Sequence, residues 1–258
     1  MKFNDHELAE HLATETGKRL LTLRQQLINE GASSWYVMDA GDAVAHRFLV
    51  DEINEFRPND AILSEEGADD PLRLTANRVW IVDPLDGSKE YGESERSDWA
   101  VHVALWERTN VSGGELTAGA VALPAFEITL STATPPPTPA RHDGNPRQVV
   151  SRNRTSRECV VVAQALGCDV SRLGSAGAKA MAVVLGETDI YVHAGGQHQW
   201  DSAAPIAVAR AAGLHTSRID GSPLVYNERD TWLPDLVVCQ QHLAERVLSA
   251  LREGRLDE

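Results

Sequence analysis

Cysteine is scarce in this chain: Cys159, Cys168 and Cys239 are the only three, and no two of them stand in a C-x-x-C spacing. An odd number without paired spacing argues against a zinc site or a disulfide framework, leaving reduced structural thiols. No segment approaches the roughly 20 consecutive apolar residues that span a bilayer. The stretch Met1-Lys2-Phe3-Asn4-Asp5-His6-Glu7 lacks the basic region and apolar run of a leader peptide. There is no internal repeat. Positive charge is also short, with 24 Lys and Arg against 38 Asp and Glu, a net charge of −14. Such a field repels a phosphate polyanion, so nucleic-acid backbone is excluded as a partner. These absences lead us to expect a cytoplasmic protein with no membrane or nucleic-acid partner.

Against that background one run stands out, Val79-Trp80-Ile81-Val82-Asp83-Pro84-Leu85-Asp86-Gly87-Ser88. A strand-like apolar stretch stops at an acid, Pro84 blocks further pairing, a second acid follows, and Gly-Ser closes the turn. Two carboxylates aimed from a strand end into a turn make a hard-oxygen site suited to Mg²⁺. The Gly87-Ser88 backbone offers N–H groups near where a phosphate oxygen would sit. An acidic protein that takes a small phosphorylated molecule must supply positive charge locally, through metal ions or a few Arg and Lys. Further acids are Glu65-Glu66 after a short strand, Asp42 after the turn-like Asp39-Ala40-Gly41, and Asp201 in Trp200-Asp201-Ser202-Ala203-Ala204-Pro205. Taken singly these are ordinary: a solvated turn for the glutamates, and helix N-caps for Asp42 and Asp201.

The 258 residues allow one large domain or two lobes. Leu8, Leu12, Leu20, Leu23 and Leu27 recur at helical spacing from Asp5 to Glu30, and Asn4 with Glu7 resembles a capping box. A second helix is predicted over 43–56, ending before Pro58. Strands are predicted at 61–64 and 99–106, the latter interrupted only by His102, and an antiparallel pair at 116–123 and 127–132 turns near Pro124. The proline-rich stretch 134–146 reads as an exposed, extended loop and as the boundary between lobes 1–146 and 147–258. Beyond it, strands are predicted at 148–150, 189–193 and 236–240. Helices are predicted at 155–166, 176–185 and 202–212, and from His242 onward. This alternation argues for layered α/β or α+β architecture.

Together and in this order, Glu65-Glu66, Trp80 to Ser88 and Trp200 to Pro205 resemble the inositol monophosphatase superfamily of Mg²⁺-dependent, lithium-sensitive phosphatases. The resemblance implies a two-lobed α-β-α-β-α sandwich with the site between lobes. It implies a first metal on Glu65, Asp83 and the Leu85 carbonyl, and a second on Asp83, Asp86 and Asp201. A third, looser ion would sit near Glu65 and Asp42, and Mn²⁺ is an expected substitute. Asp42, Ser88 and Glu65 take the catalytic roles, with Ser88 standing where the family has Thr. The substrate would meet Leu85, Asp86, Gly87, Ser88 and Asp201. A homodimer is compatible with this reading.

Within the superfamily, the inositol branch has an acid before its Trp-Asp motif, which Tyr191 to Gln199 lacks here. The 3′(2′),5′-bisphosphate nucleotidase branch of CysQ type carries a Gly/Ser turn ending in Lys, here Gly174 to Lys179, and Gly-x-Pro-Leu-x-Tyr, here Gly221 to Tyr226. Val150-Ser151-Arg152-Asn153-Arg154 is a further match, with Arg154 where the branch has His. A bisphosphorylated nucleotide brings a second phosphate that the metals do not reach; Ser151, Arg154, Ser175 and Lys179 are the groups to meet it. The expected activity is therefore hydrolysis of 3′-phosphoadenosine 5′-phosphate to AMP and phosphate, with the corresponding phosphosulfate as an additional substrate. The alternatives are an inositol-1-phosphate or fructose-1,6-bisphosphate phosphatase, or a catalytically silent metal- or nucleotide-sensing relative.

Overall fold

A computed structural model describes residues 3–110 and 113–256. Two long helices come first. In α1 (Asp5–Asn29) the capping box is complete: Glu7 N donates to Asn4 Oδ1 and Asn4 N to Glu7 Oε2, each at 2.9 Å. Leu8, Leu12, Leu20 and Leu27 form its buried stripe. The second helix, α2 (Ser34–Phe56), starts nine residues earlier than the sequence suggested, capped by Ser33. Residues 39–41 are helical, not a turn, and Asp42 does not begin a helix but lies well inside one. Gly41 misled because glycine usually breaks helices. Here a Cβ would stand 2.6 Å from the Tyr91 ring and 2.9 Å from Leu85, so glycine permits close packing.

The first sheet has strand order β1-β2-β3-β4-β5, made of β1 (Ala61–Ser64), β2 (Arg78–Asp86), β3 (Ala100–Asn110), β4 (Gly113–Leu123) and β5 (Ile128–Ser131). Strands β1 and β2 pair in parallel, and the β2–β3, β3–β4 and β4–β5 pairs are antiparallel. A one-turn helix, α3 (Ser88–Gly92), follows β2. The second sheet has order β7-β6-β8-β10-β9, from β6 (Arg147–Ser151), β7 (Asp169–Leu173), β8 (Ile190–His198), β9 (His215–Ser217) and β10 (Trp232–Cys239). Its helices are α4 (Arg157–Leu166), α5 (Ala176–Val184), α6 (Ala203–Ala211) and α7 (Ala244–Leu256). The proline-rich stretch joins the sheets without helix or strand of its own.

Three apolar clusters define the layers. α1 and α2 pack on one face of the first sheet, α5 and α6 fill the space between the sheets, and α4 and α7 cover the outer face of the second. The order α-β-α-β-α is the one expected. The central cluster draws on both halves, from Leu63, Ile81 and Val121 to Val149, Met181 and Ile206. Among the described residues no helix is long and apolar enough to cross a membrane.

Several sequence readings are corrected. Pro84 does not end β2: pairing with β3 resumes at Asp86 after a register shift between Asp83 and Asp86, so the proline sits in a bulge. Pro234 lies at a similar shift within β10, which begins at Trp232 rather than Leu236. Strands β7 and β9 were not foreseen; β7 is an exposed edge strand and β9 has three residues, so neither carries an apolar run.

Candidate active site

The bulge in β2 is the first element of the site, because it turns two acids, three residues apart, toward the same space. Leu85 N donates to Asp83 Oδ1 at 3.1 Å, which fixes the local turn. Gly87 then takes φ +84°, a left-handed conformation, and a Cβ there would stand 3.0 Å from Ser175 and 3.4 Å from the Asp98 carbonyl. Ser88 Oγ lies 3.0 Å from both Asp42 Oδ1 and the Leu85 carbonyl oxygen. Three carboxylates converge: oxygens of Asp83, Asp86 and Asp201 all lie within 4.8 Å of one another. Glu65, the residue after β1, is close enough to Asp83 for the two carboxyls to share a hydrogen bond.

The four acids are not equivalent. Asp86 is received by the N-terminus of α5, where Ser175 Oγ and Gly177 N (2.6 Å) donate to its Oδ2 and Ala176 N (3.1 Å) to its Oδ1. Burial opposes its ionisation, but His102, Ser175 and Lys179 outweigh burial and bring its pKa down to about 2. The others go the opposite way. Burial, with repulsion from neighbouring acids, raises Glu65 to about 7, Asp201 to about 6 and Asp83 well above its ordinary value. Asp42 is likewise raised to about 7, chiefly by burial, against the Ser88 hydrogen bond. Burial and mutual repulsion that hold Glu65, Asp83 and Asp201 above the ordinary carboxylate range mark converging acids short of positive charge. A hard divalent cation with oxygen preference answers that deficit, so the donor set fits Mg²⁺-type ions.

Asp201 does not cap α6, as its position suggested. The N-cap is Ser202, which makes no side-chain capping bond, and Asp201 Oδ2 accepts His198 N at 2.6 Å instead. The side chain is thereby held back from the helix and turned toward Asp86. His102 was not among the sequence candidates. It is fully buried on β3, opposite Asp83, with Nε2 3.2 Å from Asp86 Oδ2 though out of line for a hydrogen bond. The available signal was its place as the one polar residue in the otherwise apolar run 99–106.

The expected phosphate-binding groups separate into two kinds. Lys179, Arg154 and Ser151 line a cavity of about 180 Å³ together with Tyr191, His193 and Gly196. Lys179 is buried, which lowers its pKa; its Nζ donates to the carbonyls of Gly174 and Ser175. An ammonium has three protons, so one donor remains for the cavity. Ser175 is already engaged: its hydroxyl donates to Asp86 and accepts from Ala178 N at 2.9 Å. In the Gly221–Tyr226 turn, Leu224 and Tyr226 are buried, and the Tyr226 hydroxyl meets Ser202 Oγ at 3.0 Å under the start of α6.

The sequence model of the inositol monophosphatase family matches residues 5–256. A 3′-phosphoadenosine 5′-phosphate phosphatase of Mycobacterium leprae is 45% identical over 259 residues, covering 98% of this chain and 95% of its own length. The 3′(2′),5′-bisphosphate nucleotidase CysQ of Escherichia coli (strain K12) is 30% identical over 207 residues, covering 75% of this chain and 81% of the relative. The crystal structure of CysQ from Bacteroides thetaiotaomicron has the same fold, with a TM-score of 0.76 at 23% identity over 91% of this chain and 96% of that one. This chain belongs to the inositol monophosphatase family, a family of metal-dependent phosphatases.

Proposed function

We propose that this protein hydrolyses the 3′-phosphate of 3′-phosphoadenosine 5′-phosphate, releasing AMP and inorganic phosphate, with two or three Mg²⁺ ions as cofactor. The carboxylates of Asp83, Asp86 and Asp201, within 4.8 Å of one another, are the observation that carries this reading; Lys179, whose charge acts on Asp86, lines a cavity together with Arg154. Two relatives named for bisphosphorylated nucleotides support the substrate. Glu65, Asp83 and the Leu85 carbonyl would hold one ion, Asp83, Asp86 and Asp201 a second, and Glu65 with Asp42 a third. Divalent cations in such a site lower the pKa of bound water, neutralise the phosphate and stabilise the leaving alkoxide.

The chain's own residues do the positioning. Ser88, tied to Asp42 at 3.0 Å, orients the attacking water. The water's oxygen forms a bond to phosphorus as the bond from phosphorus to the ribose 3′-oxygen breaks, in line, and the proton the water gives up is balanced by the one the departing 3′-oxygen takes to become the hydroxyl of AMP. The start of α3 presents the Gly87-Ser88 backbone toward the phosphate. The 5′-phosphate would be met by the remaining donor of Lys179 and by Arg154, both lining the cavity, together with Ser151. Ser175 serves through Asp86 rather than through the nucleotide. On this reading residues 1–146 and 147–258 act as two lobes, the first carrying most of the acids and the second Asp201 and the nucleotide cavity. The reaction is placed in the cytoplasm, and Mn²⁺ substitutes for Mg²⁺.

Phosphate release from 3′-phosphoadenosine 5′-phosphate, inositol-1-phosphate and fructose-1,6-bisphosphate, compared at saturating Mg²⁺, tests the proposal. The nucleotide should give the largest kcat/KM by a wide margin, and chelation should abolish turnover. Preference for either sugar phosphate overturns the substrate, and absence of any Mg²⁺-dependent release overturns the reaction.

A further inference from the structure

The three converging aspartates come from two separate stretches of chain. Asp83 and Asp86 lie on β2, and Asp201 lies in the turn between β8 and α6. One side chain touches both stretches. His102 Nδ1 is 3.2 Å from the Trp200 carbonyl oxygen and 3.9 Å from Asp83 Oδ2, while Nε2 is 3.2 Å from Asp86 Oδ2. A carbonyl oxygen only accepts, so Nδ1 carries its proton toward Trp200. The ring is fully buried.

We propose that His102 is a positioning residue for the metal centre: it sets the spacing between the Asp83/Asp86 bulge and the Trp200–Asp201 turn, so that the carboxylates converge before a cation arrives. Asp86 is already held by the N-terminus of α5. What His102 adds is the link to the residue immediately before Asp201. Gly177 leaves the room that this ring position needs. A Cβ on Gly177 would stand 2.1 Å from His102 Nε2 and 3.0 Å from Asp86 Oδ2. Alanine is the better helix former, so glycine in the first turn of α5 serves this contact rather than the helix. The same Gly177 donates its N–H to Asp86 at 2.6 Å, which makes ring, carboxylate and helix start one packed block.

This inference rests on the proposed metal centre and not on the choice of nucleotide. It is tested on the full chain by titrating Mn²⁺ alone, with free Mn²⁺ read by electron paramagnetic resonance and no substrate present. His102→Leu should weaken Mn²⁺ binding roughly ten- to a hundredfold, the usual effect of losing a residue that orients metal ligands. His102→Gln, which keeps an amide donor, should recover part of the loss. In turnover assays the Mg²⁺ concentration for half activity should rise, while KM for the nucleotide at saturating Mg²⁺ stays put. A His102→Leu protein with wild-type near-ultraviolet dichroism and wild-type Mn²⁺ affinity overturns the proposal. Should that variant fail to fold, His102→Phe, which keeps a ring and removes both nitrogens, decides: weakened Mn²⁺ binding supports the role, and unchanged binding overturns it. A wild-type protein that binds Mn²⁺ but leaves the nucleotide intact sinks the substrate reading alone.

Discussion

Ser88 and Asp42 stand 46 residues apart in sequence, and the serine hydroxyl lies 3.0 Å from the aspartate Oδ1. The contact joins the first residue of α3 to the interior of α2. It exists because α2 begins at Ser34, two turns before Asp42, and because Gly41 lets Tyr91 and Leu85 lie against that helix.

Removing the hydroxyl therefore separates positioning from metal binding. Ser88→Ala should lower kcat roughly a hundredfold or more, in the range expected for loss of a proton-handling group. Ser88→Thr should retain most activity. The Mg²⁺ dependence of both variants should resemble that of the parent. Steady-state kinetics across a Mg²⁺ series checks this; full kcat in Ser88→Ala would remove the pair from the reaction.

Asp83 is the acid shared by both proposed principal ions. Asp83→Asn keeps its shape and removes one negative charge, so kcat/KM should fall by at least about a hundredfold. The protein should still fold. Asp83 is fully buried among acids that push its pKa up, so the amide relieves repulsion in the metal-free state. Thermal unfolding in chelator should show an unchanged or higher Tm; near-normal turnover by this variant would overturn the metal assignment.

Lys179 contributes to structure and to the cavity at once. Two of its protons go to Gly174 and Ser175 carbonyls, and one remains. Lys179→Met should raise KM for the bisphosphorylated nucleotide roughly ten- to a hundredfold, the size of a lost charge-assisted bond. A simple phosphate monoester should show a much smaller rise. Equal increases for the two substrates would mark the lysine as purely structural.

The raised acids give the metal-free protein a pH signature. Asp42 and Glu65 titrate near about 7 and Asp201 near about 6 when folded, all above their values in an unfolded chain. Groups with raised folded pKa stabilise fully below the unfolded value, and that stability is lost as pH rises through the folded value. Asp86, lowered to about 2, contributes constantly from pH 5 to 8 and loses its share only in strong acid. In chelator, Tm should therefore fall between pH 5 and pH 8, and saturating Mg²⁺ should flatten or reverse the slope. A chelated protein whose Tm rises over that interval would contradict the electrostatics described here.

The parts legible in the sequence were those with local causes. The capping box at Asn4 and Glu7, the leucine stripe of α1, the turn at Pro124 and the order of acids all follow from neighbours a few residues apart. The β2 motif marked two acids that converge in the fold, because an apolar run, a proline and a glycine within ten residues bend the chain there. Chain-distant packing settled the rest. Whether Gly41 interrupts or continues α2 depended on Tyr91 and Leu85 lying against it. Whether Pro84 ended β2 depended on β3 offering a partner beyond the bulge. Asp201 was chosen by sequence as a ligand, but its release from capping α6 required His198 N to take the carboxylate. His102 was visible only as one polar residue in an apolar strand; its meaning came from Asp86, Trp200 and Gly177, which three other elements deliver to it. Sequence fixes which groups are available and the backbone turns beside them. Convergence of groups from separate elements is a property of the packed layers, because contacts between distant residues are set by which faces bury together and not by spacing along the chain.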